Sequence, residues 1–229
     1  MNIELNITLR CNRACWACNR MCGVIPYSHA DDVTLGQIDA FLAQAKVIGV
    51  KKCKVLGGEP LMHPQFEQIY NKLLQGLKDG VIRELKIDHN HTLPFPKHLE
   101  VIPGVRLMGK AFHKKQHLPL VHPLDENCVT KAQPRCEMLR RCGFSLDAKG
   151  WLPCSAAIML ERMYNFGLYR QVLPSQPWGL DQLCPNCPWS MPRDWRVNHS
   201  YHLDDHPMQY DKPSLRYRQK LVEMELNRG

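Results

Sequence analysis

Cys11, Cys15 and Cys18 stand in the spacing C-x3-C-x2-C. Three thiolates are one fewer than the four that saturate an iron–sulfur cube or a structural zinc, so a cube held by this set keeps one iron open to an outside ligand. An open iron is a reactive one. Farther along, Gly57-Gly58-Glu59-Pro60 sets two residues without side chains next to each other, where backbone can approach a ligand closely. Eleven cysteines in 229 residues point, in a reducing compartment, to metal rather than to disulfides.

The elements that must carry these residues are legible from periodicity. Ile3, Leu5, Ile7 and Leu9 alternate with polar residues, the period of a strand, and the run ends at Cys11. Thr34 with Gln37 reads as a capping box, Leu35, Ile38, Phe41, Leu42, Ala45 and Ile48 repeat at helical spacing, and Gly49 is a stop. Lys52 to Leu56 forms a second strand running into the two glycines, after which Pro64 can open a helix carrying Phe66, Ile69, Leu73, Leu74 and Leu77 before Gly80. Glu84 to Ile87 and Val105 to Met108 read as further strands, joined by a Pro-rich connection with a helix over Pro96 to Val101. Alternating units of this kind favour an α/β fold with a parallel sheet, flat or curved into part of a barrel. From about His113 the texture changes to scattered prolines, histidines and six of the cysteines. Asp147 to Gly150 reads as a tight turn between two short strands, and Pro213 to Asn227 as a last helix.

Composition excludes general disorder: apolar residues are 44% and charged residues 23%. No run of ~18 to 20 uncharged apolar residues is present, and Met1 to Leu9 lacks the pattern of a signal peptide, so no membrane partner and a cytoplasmic location are expected, a host cytoplasm if the source is viral. The formal charge of +8 permits an anionic partner, nucleic acid included.

Each motif alone is weakly specific, but placed at the ends of consecutive strands they resemble the radical S-adenosylmethionine (SAM) superfamily, whose signature is this triad on the loop after the first barrel strand. The resemblance implies Cys11, Cys15 and Cys18 as ligands of a 4Fe–4S cluster, and Gly57, Gly58, Glu59 and Pro60 as the segment that binds the amino group of SAM. It further implies reductive cleavage of SAM to a 5′-deoxyadenosyl radical that takes a hydrogen atom from a substrate, with an electron from a donor such as flavodoxin or ferredoxin. The aromatic residue that the family places directly before the third cysteine is Ala17 here, with Trp16 one position earlier as the adenine contact. Asn90, in His89-Asn90-His91 at the end of the third strand, is a SAM or substrate contact or simply part of a polar loop. About four units precede Cys128 instead of six, so the implied fold is an abbreviated partial (β/α) barrel over residues 1–127, followed by a small cysteine-rich module over residues 128–229.

The segment from Cys136 through Leu146-Asp147-Ala148-Lys149-Gly150 to Cys154 resembles the start of the twitch or SPASM modules that follow some radical SAM barrels, and Cys184 with Cys187 would complete a second 4Fe–4S cluster. Zinc suits these four thiolates as well. Cys142 competes with Cys136 for the first place, Cys128 is a spare ligand or buried, Cys22 a fourth ligand at the first site or a small loop residue, and Cys53 core. Lys110, Lys114, Lys115, Arg135, Arg140 and Arg141 either frame an anionic substrate or form solvated surface. Trp189, Trp195, Tyr201 and Tyr210 either stack on bases or shield the second cluster.

Three functions are compatible with these features. The first is radical modification or rearrangement of a nucleotide or of a base in viral DNA, favoured by the charge and by a first strand that starts at about Ile3. Peptide-modifying members, the second possibility, often carry a recognition domain before the barrel. The third, a zinc knuckle with an ordinary Gly-Gly turn, makes the chain a non-catalytic nucleic-acid-binding protein.

Overall fold

The computed structural model describes residues 1–13, 18, 20–22, 25–109, 136–187 and 222. Strand β1 (Asn2–Thr8) leads through a long loop to helix α1 (Leu35–Ile48), β2 (Val50–Gly57), α2 (Phe66–Lys78), β3 (Ile82–His89) and β4 (Val105–Gly109). After residue 135 come a short α3 (Glu137–Arg141), the hairpin β5 (Phe144–Asp147) and β6 (Gly150–Leu152), α4 (Ala157–Tyr164) and a single turn α5 (Leu180–Leu183). The sheet is mixed, in the order β4-β3-β2-β1-β5-β6, with β6 alone antiparallel to its neighbour. No helix among the described residues is long and apolar enough to cross a membrane.

Local chemistry explains the two βα units. Thr34 Oγ1 accepts from the Gln37 N–H at 3.2 Å while Gln37 Oε1 accepts from the Thr34 N–H at 2.8 Å, the reciprocal box that satisfies two free helix-end donors. Gly49 closes α1 at φ 70°, donating to Ala45. Ile3, Leu5 and Ile7 pack with Ile38, Phe41, Ile69, Leu73 and their neighbours into the main core between the sheet and the two helices. Pro64 does not open α2: a 3-10 turn over Pro60–Met62 intervenes, and the helix starts at Phe66 with Gln65 as its cap.

The β3–β4 connection has no helix. Pro94, Pro96 and Pro103 restrict the residues before them and remove donors, and the stretch expected to be helical, Pro96 to Val101, is a turn closed by the Leu99 N–H on the Pro96 carbonyl. It is held instead by side chains: Phe95 packs edge-on against Phe66 and Tyr70, and the Tyr70 hydroxyl donates to the Glu100 carbonyl at 2.7 Å. The helix expected over Pro213 to Asn227 lies outside the described residues, apart from Val222, which is helical.

The outer edge of β1 is taken by β5, so one sheet runs through both segments that the sequence divides between residues 127 and 128. A second apolar cluster joins them as well: Leu9, Met21 and Ile25 from the loop after β1 pack with Leu152, Ile158, Leu160 and Met163. The turn from α3 into β5 depends on Gly143, whose φ is 76° and whose absent Cβ would sit 1.8 Å from the Asn2 carbonyl oxygen.

Gly143→Ala should therefore push β5 off β1. The backbone conformation alone costs a β-carbon about 1–3 kcal/mol, and the contact with Asn2 adds to it. Denaturant unfolding should show the loss and hydrogen exchange should show weakened β5 amides; an unchanged midpoint would contradict this account of the turn.

Candidate functional site

Parallel pairing of β1, β2 and β3 brings their carboxyl ends to one edge of the sheet, where chain leaving each strand converges. The Gly58 and Glu59 N–H groups donate to the Thr8 and Arg10 carbonyls at 2.9 and 2.7 Å, prolonging β2 alongside the segment that ends in Cys11. A Cβ on Gly57 would lie 2.2 Å from the Thr8 oxygen, and one on Gly58 would lie 2.1 Å from the Arg10 oxygen and 2.9 Å from the Cys11 Cβ. The close approach that these glycines permit is thus to the backbone carrying Cys11, a role the sequence did not suggest for them.

Glu59 is fully buried, and its carboxylate joins two strand ends. One oxygen accepts from the Asn90 N–H at 2.6 Å and the other from the Leu61 N–H at 3.1 Å, capping the turn that Pro60 begins. Burial raises its pKa, against those two hydrogen bonds and the charges of His91 and Arg13. Asn90, pinned in this way, turns its carboxamide to Cys11: Nδ2 lies 2.9 Å from Asn12 Oδ1 and 4.0 Å from Cys11 Sγ. Its Oδ1 accepts from the Thr92 N–H at 2.9 Å. Asn90 is therefore beside the first cysteine, while the neighbouring His89 packs against His91 with ring centroids 4.4 Å apart.

Cys18 is the second described member of the triad; Cys15, Trp16 and Ala17 lie outside the described residues. Hydrogen bonds from the Cys22 thiol, and from the Cys22 and Arg20 backbone, together with the Arg20 charge, hold the Cys18 thiol at about 5 against its burial. Such a thiol is a thiolate at neutral pH, the form that ligates metal. The same bond and burial push Cys22 far above the ordinary thiol range, with the Cys18 and Cys11 charges adding to it and Arg162 opposing. Cys11 and Cys18 thus fit an iron–sulfur centre in donor chemistry, although among the described residues no group of three or more His, Cys, Asp or Glu is gathered closely enough to hold a metal ion.

The loop that presents them is fastened from both sides. Arg10 stacks on the Tyr27 ring at 4.5 Å, and Asp32 accepts from Arg10 Nε at 3.1 Å, from Thr8 and from Tyr27. From the other side, α4 sends Arg162 to the carbonyls of Arg20 and Pro26. Beneath the loop, Arg20 is buried and donates to Glu4 Oε2 and Asn6 Oδ1, both at 2.8 Å. The other Glu4 oxygen binds Lys54 at 3.1 Å, and Lys54 continues to Asp88 at 3.0 Å. Burial would raise the Glu4 pKa, but the Lys54 and Arg20 charges and hydrogen bonds from Lys54 and the Cys142 thiol outweigh it and hold the carboxyl at about 2. Sequence inspection missed this network; its one trace is the alternation of charge along Lys52-Lys54 and Glu84-Lys86-Asp88.

In the second segment Cys154, Cys184 and Cys187 are all buried, the last two joined by a 3-10 turn in which the Cys187 N–H donates to the Cys184 carbonyl at 3.1 Å. Burial pushes the Cys154 thiol up to about 12, opposed by the Ala156 and Ala157 N–H groups and reinforced by the nearby Cys136 and Cys184 charges. Cys142 faces another way: burial and the Glu4 carboxylate raise its thiol to about 11. Cys53 is core, as expected. Arg140 and Arg141 end α3, where the Arg141 carbonyl accepts from Asn2 Nδ2 at 3.0 Å, so they stand at the amino-terminal edge of β1, opposite Cys11, and do not frame this site. Cys128, Lys110, Lys114, Lys115, Arg135, Trp189, Trp195, Tyr201 and Tyr210 lie outside the described residues.

Comparison with known proteins finds similarity in the first half of the chain. Residues 5–107 match the family model of the radical SAM superfamily. Among curated proteins, the chain is 30% identical over 79 residues to a GTP 3′,8-cyclase of Pelotomaculum thermopropionicum, covering 34% of this chain and 24% of that protein. It is 35% identical over 97 residues to an S-adenosylmethionine-dependent nucleotide dehydratase of Selenomonas ruminantium, covering 42% of this chain and 34% of the relative. It is also 30% identical over 91 residues to a GTP 3′,8-cyclase of Bradyrhizobium diazoefficiens, covering 39% and 26%. The matched regions span roughly a quarter to a third of these relatives' length. A crystal structure of BtrN in complex with AdoMet and 2-DOIA superimposes with a TM-score of 0.40 at 15% identity, covering 70% of this chain and 75% of that one.

Glu4→Gln leaves Arg20 buried without its carboxylate and Lys54 with Asp88 alone, and should cost about 3–5 kcal/mol. Because the folded pKa of about 2 lies below the ordinary 4.5, the Glu4 contribution is complete above pH 4.5 and is lost as pH falls toward 2. Denaturant unfolding as a function of pH should show the gap between the two proteins narrowing over that interval; a gap that is constant with pH would mean that the carboxylate charge is not what the network uses.

Proposed function

We propose that this chain is a radical SAM enzyme acting on a nucleotide-like substrate, a nucleotide itself or a modified base in DNA. The observation that carries the proposal is the meeting of Cys11, Gly57 to Pro60 and Asn90 at one strand edge within a radical SAM superfamily domain. That domain implies a 4Fe–4S cluster and SAM, which when bound supply an electron and a 5′-deoxyadenosyl radical.

The residues of the chain divide the remaining work. Cys11, Cys15 and Cys18 hold the cluster as thiolates, a state that Cys18 already favours. The Gly57–Gly58 backbone keeps the Cys11 segment against β2, and with Glu59 and Pro60 it forms the floor for the amino-acid end of SAM. Asn90 directs its carboxamide to the same corner as a ligand contact, and Trp16 is the adenine contact. Cys136, Cys154, Cys184 and Cys187 hold a second, fully ligated centre; the mutual influence of Cys154, Cys136 and Cys184 supports that set over one with Cys142, whose thiol is engaged by Glu4. Four thiolates leave no open position, so this centre relays electrons from an external one-electron donor instead of binding substrate. The relatives named for GTP and nucleotide chemistry, and the net charge of +8, support a nucleotide as substrate.

Two iron–sulfur cubes amount to about eight iron and eight sulfide per chain. Oxygen-free purified protein should approach that ratio and release 5′-deoxyadenosine from SAM with dithionite. Changing Cys11, Cys15 and Cys18 together to Ala should halve the iron and abolish the release. Changing Cys154, Cys184 and Cys187 should remove iron if the second centre is a cube and zinc if it is not. Persistent SAM cleavage by the triple-Ala protein, or zinc as the sole metal of the wild type, would sink the proposal.

A further inference from the structure

The face of the sheet turned away from α1 and α2 carries an arrangement that stability does not explain. Cross-strand register sets Glu4 opposite Lys54, Lys54 opposite Lys86 and Lys86 opposite Arg106, so three cations follow one another across β2, β3 and β4. The alternation confirms that they share one face: Leu85 and Ile87 are in the core, whereas Lys54 bonds to Glu4 and Asp88, and Arg106 bonds to Glu84. Like charges directly opposite each other on a sheet are destabilising.

The carboxylates on this face do not relieve the middle of the row. Glu4 is taken by Arg20 and Lys54, and Asp88 by Lys54. Glu84 leans on Arg106 at 3.5 Å, with the arginine side chain 66% exposed. Half-buried Lys86, between two other cations, has no ion pair or hydrogen bond among the described residues. Asn90 lies four positions after Lys86, directly past the end of β3, a rise of ~13 Å at about 3.3 Å per residue, and Asn90 is the residue that touches Cys11. The span suits a nucleotide lying along β3, with its sugar or base at the Cys11 corner and its phosphates on the cationic row.

We propose that Lys86 and Arg106 form an anion subsite that binds the polyphosphate tail of the substrate. The inference rests on the nucleotide reading above and adds to it a location and an orientation. Lys54, neutralised by Glu4 and Asp88, sets the potential of the row without having to contact the ligand. Phosphate oxygens supply the counter-charge that Lys86 lacks among the described residues, and the Arg106 guanidinium can take two of them at once.

Binding to the full-length holoprotein, measured by calorimetry without SAM or reductant, tests this independently of catalysis. The probes are inorganic tripolyphosphate and each of the four common ribonucleoside triphosphates; Lys46→Met, on the exposed outer side of α1, is the control for general charge. Lys86→Met and Arg106→Gln should each weaken tripolyphosphate and at least one nucleotide tenfold or more. Lys86→Arg should stay within about threefold of wild type, since it keeps the charge. Removal of a crowded, unpaired cation should also leave the melting midpoint of Lys86→Met equal to or above that of wild type, so loss of binding is not loss of fold. Equal weakening by Lys46→Met, unchanged binding by Lys86→Met, or no binding by wild type would each overturn the subsite. SAM cleavage by wild type together with any of these results would remove the subsite and leave the radical SAM reading standing, whereas tight, Lys86-dependent binding without SAM cleavage would do the reverse.

Discussion

A single carboxylate deep in the sheet organises the fold around the candidate site. Glu4 is buried in the middle of β1, where an isolated charge would be untenable, and it survives because Arg20 and Lys54 meet its two oxygens. Each partner comes from an element that borders the candidate site. Arg20 follows Cys18 on the cysteine loop, and Lys54 lies on the strand that runs into the two glycines. Lys54 then extends the chain of charges to Asp88, two residues before Asn90. Satisfying one buried charge therefore brings the cysteine loop, β2 and β3 into mutual register. A loop of more than twenty residues between β1 and α1 could otherwise adopt many arrangements above the sheet.

The cysteine-rich second segment is part of the same construction. Its hairpin pairs with β1, Ser145 accepts from Asn6 at 2.7 Å, the Cys142 thiol donates to Glu4, and Arg162 holds the backbone of the cysteine loop. Leu9, Met21 and Ile25 share an apolar cluster with Cys154, Cys187 and the body of α4. The loop after β1 and two cysteines of the second segment thus border one packed interior. Rigid support from the side opposite Asp32 keeps the loop from depending only on its own turns.

Local regularities made much of this legible in advance. The strand before Cys11, both helices and the turn at Asp147 to Gly150 followed from period, caps and turn residues, which act over a few positions. What escaped was long-range. Nothing near Glu4 in sequence tells that Arg20 will cover it, and nothing in Phe144 to Asp147 tells that this strand will lie beside β1 instead of following β4. The glycines were visible as a place of close approach, but the partner, the Thr8 and Arg10 backbone, is defined only once β1 and β2 are paired. Pro96 to Val101 carried a helical suggestion that Pro96 and the flanking Pro94 and Pro103 overruled, and Phe95 and Tyr70 decided the outcome through packing.

The position of β1 inside the sheet bears on how the chain matures. Its two charged partners arrive early in synthesis, at residues 20 and 54, and its β2 neighbour soon after, but the strand that covers its other edge is complete only at Asp147. Until then a strand rich in Ile and Leu presents unpaired amides and carbonyls to its surroundings, a template for pairing with another nascent chain. The interval between translating Thr8 and translating Asp147 is thus the window in which this strand edge is open to mispairing.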